Sequence, residues 1–406
     1  MLRRPTDPRI AESSDLARLA ADGYALEIQG GHLVLHDVPY VTKNSELRRG
    51  KLVAPITFAG DIAAAPRDHV AMWSGEHPCH KDGRLMGEIA HTSQRREVES
   101  GLVVDHSFSA KPQPSGHFPS FYEKMTEYVH RIAGPAEALD PSMHARTNGV
   151  IEVRDEQSVF RYTENASALA GIGSLTPLLA VGKIAIVGTG GTGGYILDFV
   201  AKTPVQEIHL YDGDDFLQHN AFRAPGAASL AELRTRPPKV EYLRSKYDPM
   251  RRGIIAHPCA IDANNVTALL EMHTVFVCAD SGAARKLIVD TLRGSGVHCI
   301  IVGMGLYQRE NGLGGQIATT AAGPGAWEHV EDHVSFGERD ADADAYGQNI
   351  QIAELNALNA AMAVIRWKKK CGFLIDLEYE GHSVYLLEAN AVANTGVTAF
   401  GSSATP

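Results

Sequence analysis

Five glycines within seven residues are the part of the sequence best suited to bind a ligand. They follow a short apolar run, Lys183–Val187, whose β-branched residues are typical of a strand buried on both faces. Glycine has no Cβ, so the backbone can turn sharply and come close to a ligand. A helix that starts there directs its free N–H groups and its positive dipole end at phosphate. The pattern therefore predicts a nucleotide site. The glycines are Gly188, Gly190, Gly191, Gly193 and Gly194.

Polar and charged residues follow at the places where the next strands end. A second apolar run, Glu207–Tyr211, is followed by Asp212, and Asp214 comes two residues later. An acidic residue at this strand end usually contacts a ribose hydroxyl. The other candidates, each from a later loop or strand end, are Asn220, Arg223, Lys239 and Asp280.

Two classes of nucleotide are compatible with the glycines. Residues 188–193 also satisfy the dinucleotide fingerprint, so an NAD-dependent oxidoreductase is one hypothesis. The carboxyl ends of parallel strands meet at one edge of a sheet, so Arg223, Lys239 and Asp280 are expected to converge there. Two cations and a carboxylate suit ATP with Mg²⁺, whereas a nicotinamide site needs no such array. Taken singly, the same three residues would be two surface charges and a helix cap.

The order of the predicted elements indicates the fold class. Strands alternate with helices after residue 183, which predicts a doubly wound, Rossmann-like, mostly parallel sheet. We therefore predict an α/β protein with this ATP-binding domain over residues 151–390. A separate N-terminal α+β domain is predicted over residues 1–150, and a flexible tail over residues 391–406.

Several local predictions accompany this division. Residues 51–58 are expected to form an edge strand or a short strand, because they contain Pro55. Residues 323–346 show no period and are expected to form a loop. Residues 349–370 are the strongest predicted helix, with lysines at its end. Residues 373–387 are expected to form two strands around Glu380-Gly381.

A second group of reactive residues lies in the N-terminal domain. His69, His77, Cys79 and His80 stand close together in a segment rich in turn residues. They could form a metal site or a nucleophilic Cys79 with a nearby histidine, although the spacing fits no zinc template well. The alternative is a structured turn that ends at Asp82-Gly83.

Composition limits the class of protein further. The net charge of −10 argues against a nucleic-acid-binding protein. The five cysteines form no CxxC pair, which favours a reducing compartment and no cysteine-rich zinc site. We find no signal peptide and no apolar stretch long enough to span a bilayer, so we expect a soluble, cytoplasmic protein without a membrane partner.

Five motifs in order resemble one known superfamily: GTGGTG, YDGDDF, HNAFR, PPKVEYL and VFVCADS. This set resembles the ThiF superfamily, which includes MoeB-type adenylyltransferases and the adenylation domain of ubiquitin-activating enzymes. The resemblance covers roughly residues 160–320, and the helix at 349–370 is also similar. It implies an enzyme that uses ATP and Mg²⁺ to adenylate the C-terminal carboxylate of a small ubiquitin-like protein. A homodimer and a downstream conjugating partner are also implied.

The resemblance implies a role for each candidate residue. The glycine segment would line ATP, Asp212 and Asp214 would face the ribose or the metal, and Asn220 would touch the phosphates together with Arg223. Lys239 would stabilise the leaving pyrophosphate, and Asp280 would bind Mg²⁺. The glycines carried over are Gly188, Gly190, Gly191 and Gly193.

The sequence departs from the superfamily in three places. Glu164 and Asn165 stand where a second arginine is expected, the zinc-binding CxxC pairs are absent, and residues 306–348 contain no cysteine for a thioester. The protein would therefore only adenylate, pass the acyl group to a thiol of another protein, or use Cys79 as the acyl acceptor, and we favour adenylation with an unassigned acceptor. Cys278 and Cys299 are expected to be inert in core strands. The N-terminal domain also resembles a domain fused to ThiF modules in bacterial ubiquitin-like gene clusters, which would recruit the small protein or its acceptor. A third hypothesis is a ThiF-like module that binds a partner without catalysis.

Overall fold

The computed structural model describes residues 9–60, 62–151, 158–164, 166–337 and 350–396. The chain divides into two compact units. We call residues 3–158 with 162–174 the N-terminal unit, and residues 159–161 with 175–406 the C-terminal unit. Each unit is described by itself.

The N-terminal unit is an antiparallel six-stranded sheet with strand order β1-β2-β3-β6-β8-β7. Helix α3 packs its buried face, which includes Met125, Tyr128 and Ile132, into the larger core of this unit. The elements are α1 Arg9–Glu12, α2 Ser14–Ala21, β1 Leu26–Gln29, β2 His32–Val41, β3 Leu47–Pro55, β4 Phe58–Ala59, β5 Ile62–Ala63, β6 Val70–Ser74, β7 Ala90–Glu99, β8 Leu102–Ser109, α3 Phe121–Leu139 and α4 Ala166–Leu169.

Strand β3 corrects the prediction made from Pro55. It is nine residues long and lies inside the sheet, paired with β2 on one side and β6 on the other. Pro55 is the last residue of the strand, and the pairing with β6 covers only residues 51–53. The missing N–H of the proline therefore removes no hydrogen bond from that ladder, so the proline is tolerated.

The C-terminal unit contains a mixed, mostly parallel sheet of eight strands in the order β11-β10-β9-β12-β13-β14-β15-β16. The first five of these pair in parallel, and the last three are added antiparallel. Its elements are a 3₁₀ helix at Thr176–Leu179, β9 Lys183–Val187, α5 Gly191–Ala201, β10 Glu207–Tyr211, α6 Gln218–Ala221, α7 Leu230–Thr235, α8 Lys239–Tyr247, β11 Ile254–His257, a 3₁₀ helix at Val266–Glu271, β12 Thr274–Val277, α9 Gly282–Leu292, β13 His298–Arg309, β14 Gly312–Ala322, α10 Val330–His333, α11 Ala353–Lys370, β15 Glu380–Leu386 and β16 Ala391–Gly396.

Two apolar cores cover the two faces of this sheet. One contains Ile186 of β9 together with residues of α5, α8 and α11. The other contains Val187 of β9 together with residues of α9 and α10. Side chains alternate along a strand, so a strand that is buried on both faces is continuously apolar, as β9 is. The prediction of an α/β protein is confirmed, with an antiparallel sheet in the N-terminal unit.

The C-terminal part of the chain differs from the sequence predictions. Residues 373–379 are not a strand, and Glu380 begins β15 instead of forming a turn. The first residues of the predicted tail form β16, which pairs with β15. Part of the predicted loop over residues 323–346 forms the short helix α10, and residues 306–322 belong to the β13–β14 hairpin. Residues 338–349 and 397–406 lie outside the described residues.

One charged side chain is fully buried among backbone groups of this unit. Arg251 donates from Nη1 to the carbonyl oxygens of Ala201 and Thr203, and from Nη2 to that of Val205. These carbonyls belong to the end of α5 and the segment that follows it, where carbonyl groups lack partners inside the helix. Burial lowers the pKa of Arg251 to about 10.

None of the helices in the described residues has the length and apolar composition of a membrane span.

Candidate functional site

The glycines after β9 form a turn, which we call the glycine turn (residues 188–193). Gly188 has a φ of +87°, and a Cβ there would lie 2.8–2.9 Å from the backbone of Cys278 and Ala279. A Cβ on Gly193 would overlap the carbonyl oxygen of Gly188. The protein backbone itself therefore requires glycine at these two positions.

Gly190 is different, because apart from its neighbours in the chain no atom of the described residues lies within 4 Å of the position of its Cβ. Its φ is −64°, so the left-handed region does not explain the glycine. Gly190 also lines a cavity at the start of α5. The open space above this residue allows a ligand to approach the backbone closely.

Asp212, at the end of β10, holds the glycine turn from below. Its Oδ2 accepts hydrogen bonds from the backbone N–H of Thr189 (2.7 Å) and from the Thr189 hydroxyl (3.1 Å). Its Oδ1 accepts from the N–H of Asp214 (3.0 Å). Both carboxylate oxygens therefore already have protein donors, and the side chain shapes the turn whether or not it also contacts a ligand.

Lys239 and Asp214 form an ion pair beside this carboxylate. The Lys239 ammonium lies 2.6 Å from Oδ2 of Asp214 and 3.7 Å from Oδ1 of Asp212. The lysine side chain is 9% exposed and that of Asp214 is 76% exposed. Lys239 is the first residue of α8, and its N–H donates to the carbonyl of Asp214, which fixes the two segments together.

Asn220 and Arg223 lie together at the short helix α6. Asn220 is buried, and its Oδ1 accepts from the N–H of Leu217 (2.9 Å). Its Nδ2 and the Nε of Arg223 are buried and have no hydrogen-bond partner in the part of the chain that the structure describes. Unpaired buried donors of this kind cost about 1–3 kcal/mol each, so they require an explanation.

Asp280 follows β12 and lines the same cavity as Gly190. Ser281 caps α9 by accepting from the N–H of Ala284 (3.2 Å), and Arg285 donates from Nε to the carbonyl of Ala279 (2.8 Å). Mg²⁺ is usually held by one or two carboxylates together with substrate phosphates, so a single aspartate at this place fits the ion. Among the described residues no group of three or more His, Cys, Asp or Glu could hold a metal by itself.

These elements enclose a cavity of about 580 Å³, which we call the glycine-turn cavity. It brings together every predicted site residue of the C-terminal unit except Asn220, which is the neighbour of the lining residue His219 in the chain. A second cavity, also of about 580 Å³, shares Asp280, Arg285 and Gly303 with the first. The lining of the glycine-turn cavity includes Gly188, Gly190, Gly191, Gly193, Asp212, Asp214, His219, Arg223, Lys239, Asp280, Arg285, Gln351, Asn356 and Asn359.

The contribution of α11 to the site was not predicted from the sequence. Asn356 and Asn359 lie on this helix, are almost completely buried, and line the cavity. Asn356 Oδ1 accepts from the Thr192 hydroxyl (2.9 Å), and a Cβ on Gly191 would overlap the Asn356 side chain. Two asparagines three residues apart in an alanine- and leucine-rich stretch of helix were a signal in the sequence, because buried amides usually have a specific partner.

Each unit contains cysteines whose surroundings do not favour reaction of the thiol. Cys79 is fully buried, and burial is the main cause that raises its pKa, so the residue does not suit the role of an acyl acceptor. His77, next to it, contacts the carbonyl of Pro78, and His69 contacts the Ser109 hydroxyl. In the C-terminal unit, burial raises the pKa of Cys299 to about 12 and also raises that of Cys278. Both thiols are therefore poorly suited to act as nucleophiles.

The fold and the site together define an α/β domain with a ligand cavity at the carboxyl ends of its parallel strands, beside a glycine turn. Residues 14–165 match one protein family, which is described as a domain of unknown function (DUF6791). No curated protein matches the chain.

Several solved structures are similar to part of the chain. E. coli MccB bound to ATP is 17% identical, with a TM-score of 0.44 over 56% of this chain and 67% of that chain. The microcin C7 biosynthetic enzyme MccB in complex with N-formylated MccA gives the same values. PaaA is 14% identical, with a TM-score of 0.44 over 71% of this chain and 91% of that chain. At these scores the similarities carry no argument about activity.

Proposed function

We propose that the protein adenylates the C-terminal carboxylate of a small ubiquitin-like protein with ATP. The observation that carries the proposal is the pair of buried donors on the lining of the glycine-turn cavity that have no acceptor in the described residues, Arg223 Nε and Asn356 Nδ2. Both are nitrogen donors, so the missing partner is a ligand rich in acceptor oxygens. A triphosphate is such a ligand, and the N-terminus of α5 with its open Gly190 favours phosphate as well.

The charges favour a triphosphate over a dinucleotide. Arg223 and Lys239 line the cavity on the side of β10, and Asp280 lines it at the end of β12. Lys239 is paired with Asp214, whose exposed side chain is free to turn away when phosphate enters. A pyrophosphate linkage alone carries fewer charges and would not need this number of fixed cations. The dinucleotide hypothesis therefore explains the site less well.

The proposed reaction has one chemical step. A carboxylate oxygen of the substrate attacks the α-phosphorus, the bond to the β-phosphate bridging oxygen breaks, and pyrophosphate leaves with the electron pair. Arg223 would stabilise the charge that develops on the α-phosphate, and Lys239 that on the leaving pyrophosphate. Asp280 would hold Mg²⁺, which would neutralise phosphate charge. The second cavity, beside Asp280 and Arg285, would hold the carboxylate end of the substrate.

The remaining parts of the proposal concern partners. We assign the recruitment of the small protein, or of a downstream conjugating partner, to the N-terminal unit. We also propose a homodimer, a cytoplasmic location, and an acceptor thiol or amine on another protein, because the environment of Cys79 is unsuitable.

The test is ATP–pyrophosphate exchange with Mg²⁺ and the ubiquitin-like proteins encoded near the gene. We expect exchange that depends on one of these proteins and falls by about 100-fold or more in Arg223→Met and in Asp280→Asn, because each removes charge stabilisation at the phosphates. The exposed Arg234→Met and Asp290→Asn are matched controls that should keep exchange.

Other outcomes would favour the other hypotheses. Tight NAD binding without exchange would contradict adenylation and favour an oxidoreductase. Partner binding that survives Asp280→Asn, again without exchange, would favour a module that binds without catalysis. Sedimentation of the full chain at micromolar concentration would contradict the homodimer if it gave the mass of one chain.

A further inference from the structure

Asn356 is the unpaired donor of the site that the motifs of the sequence do not account for. It lies in the first turns of α11, it is 0% exposed, and it lines the glycine-turn cavity. Its Oδ1 accepts from the Thr192 hydroxyl, and in this orientation of the amide Nδ2 is the free end. Nδ2 has no acceptor in the described parts of the chain.

The contrast with Asn359 shows that the free end is specific to one position. Asn359 lies one turn later on the same helix and is equally buried, but its Nδ2 donates to the carbonyl of Gly303 (3.0 Å). The side-chain nitrogen of Asn359 therefore has an acceptor within the described residues, whereas that of Asn356 has none. An unpaired buried amide is costly, so it is expected where a ligand completes it.

The surroundings of Asn356 indicate which ligand group this is. The side chain packs against Gly191, at the N-terminus of α5, and α11 begins at Ala353 beside the same cavity. Two helix N-termini therefore lie near the amide, and both favour negative charge. Arg223 Nε, the other unpaired donor on the cavity lining, has the same need for an acceptor.

We propose that Asn356 donates its free amide hydrogen to a phosphate of the bound nucleotide, so that α11 forms part of the phosphate-binding site. This inference rests on the proposed function and adds to it a residue from the last helix. The ligand group is a phosphate oxygen, not the base or the ribose. Thr192 acts through Asn356, as a positioning residue that orients the amide.

The test is calorimetric titration of the full chain with ATP, ADP, AMP and adenosine. Asn356→Leu keeps the volume and removes the donor, and Asn356→Asp keeps the acceptor for Thr192 and removes the donor. We expect both variants to lose affinity for ATP by at least about tenfold, since a charge-assisted hydrogen bond is lost. Adenosine affinity should change by less than about twofold. Asn394→Leu, at an exposed position of β16, is the control.

The outcomes separate this inference from the proposed function. If the wild type binds ATP and the variants bind it equally well, the inference is wrong and the proposed function stands; a water then occupies the amide. An equal loss for ATP and adenosine would also overturn it, because a structural defect does not distinguish phosphates. If neither variant folds, Thr192→Val should give a smaller loss confined to phosphate-bearing ligands, and no such loss would overturn the inference. Absence of ATP binding in the wild type would overturn both proposals.

Discussion

The surrounding protein requires glycine at three positions of the turn, Gly188, Gly191 and Gly193. At Gly190, nothing that the structure describes around the residue excludes a side chain. A side chain at the first three would strain the backbone, overlap Asn356 or overlap a carbonyl oxygen. At Gly190 a methyl group would enter open cavity space. The substitution therefore separates ligand binding from folding at a single position.

We expect Gly190→Ala to lower ATP affinity by about tenfold or more, because the methyl group would occupy the space of a phosphate. Its free energy of unfolding should fall by only about 1 kcal/mol, because Gly190 is the N-cap of α5, where alanine is less favourable than glycine. Titration with ATP and urea denaturation measure the two quantities. Gly296→Ala is the control, since a Cβ there also meets no atom. Unchanged ATP affinity in Gly190→Ala would contradict a nucleotide at this turn.

At the scale of elements, the end of α5 depends on a buried guanidinium. Arg251 satisfies carbonyl groups of three residues that follow one another closely, and its Nε also donates to the carbonyl of Arg252 (2.8 Å). Backbone groups are thus its acceptors, and a buried carbonyl without a donor is costly. The helix that carries the glycine turn is therefore held at its far end by this side chain.

Arg251→Met should lower the free energy of unfolding by about 2–4 kcal/mol, because several buried carbonyls lose their donor together. Urea denaturation followed by circular dichroism measures this change. Arg234→Met removes an exposed arginine from α7 and should cost less than about 0.5 kcal/mol. Equal midpoints for the two variants would show that α5 does not depend on the buried guanidinium.

The sequence was sufficient for elements whose pattern is local. β9 and β10 were predicted with their observed bounds, because continuous apolar runs flanked by glycine and aspartate identify buried parallel strands. β16 was missed, since its small, exposed residues carry no apolar period and the strand exists only through pairing with β15. The prediction from Pro55 was wrong because the pairing register with β6 decides whether a backbone N–H is needed at this position. That register cannot be read from the sequence.

The same limit applies to the site. Arg223, Lys239 and Asp280 were predicted from their places after strands, and the structure brings them to one cavity. Asn356 was missed because its partner, Thr192, is 164 residues away, and no local rule links them. Asp212 was assigned to the ribose or the metal, while the structure shows its bonds to Thr189 and Asp214.

For the whole molecule, buried histidines link stability to pH. Burial is the main cause that lowers the pKa of His298 and of His382 to about 4. In the unfolded chain these groups titrate near 6.5, so the unfolded state binds their protons first as the pH falls. The stability that the neutral histidines contribute is complete above pH 6.5 and is lost between about pH 6.5 and pH 4.

We therefore expect the free energy of unfolding to fall from pH 7 to pH 5, by at most about 2 kcal/mol for each of these histidines. His382→Gln should reduce this dependence, because glutamine does not titrate and can still bond the Thr320 hydroxyl. His219→Gln, at an exposed position, is the control, and all variants are measured without nucleotide. Urea denaturation at several pH values tests this, and an unchanged slope in His382→Gln would contradict the assignment.

The contact between Thr192 and Asn356 also has a consequence for the synthesis of the chain. The two residues are separated by 164 positions, so the turn leaves the ribosome long before α11 does. At about 5–20 residues per second, the interval is roughly 10–30 s. During this time the newly made strands have no helix to cover the glycine turn. If the protein binds ATP as proposed, its phosphate-binding site is complete only after α11 has left the ribosome.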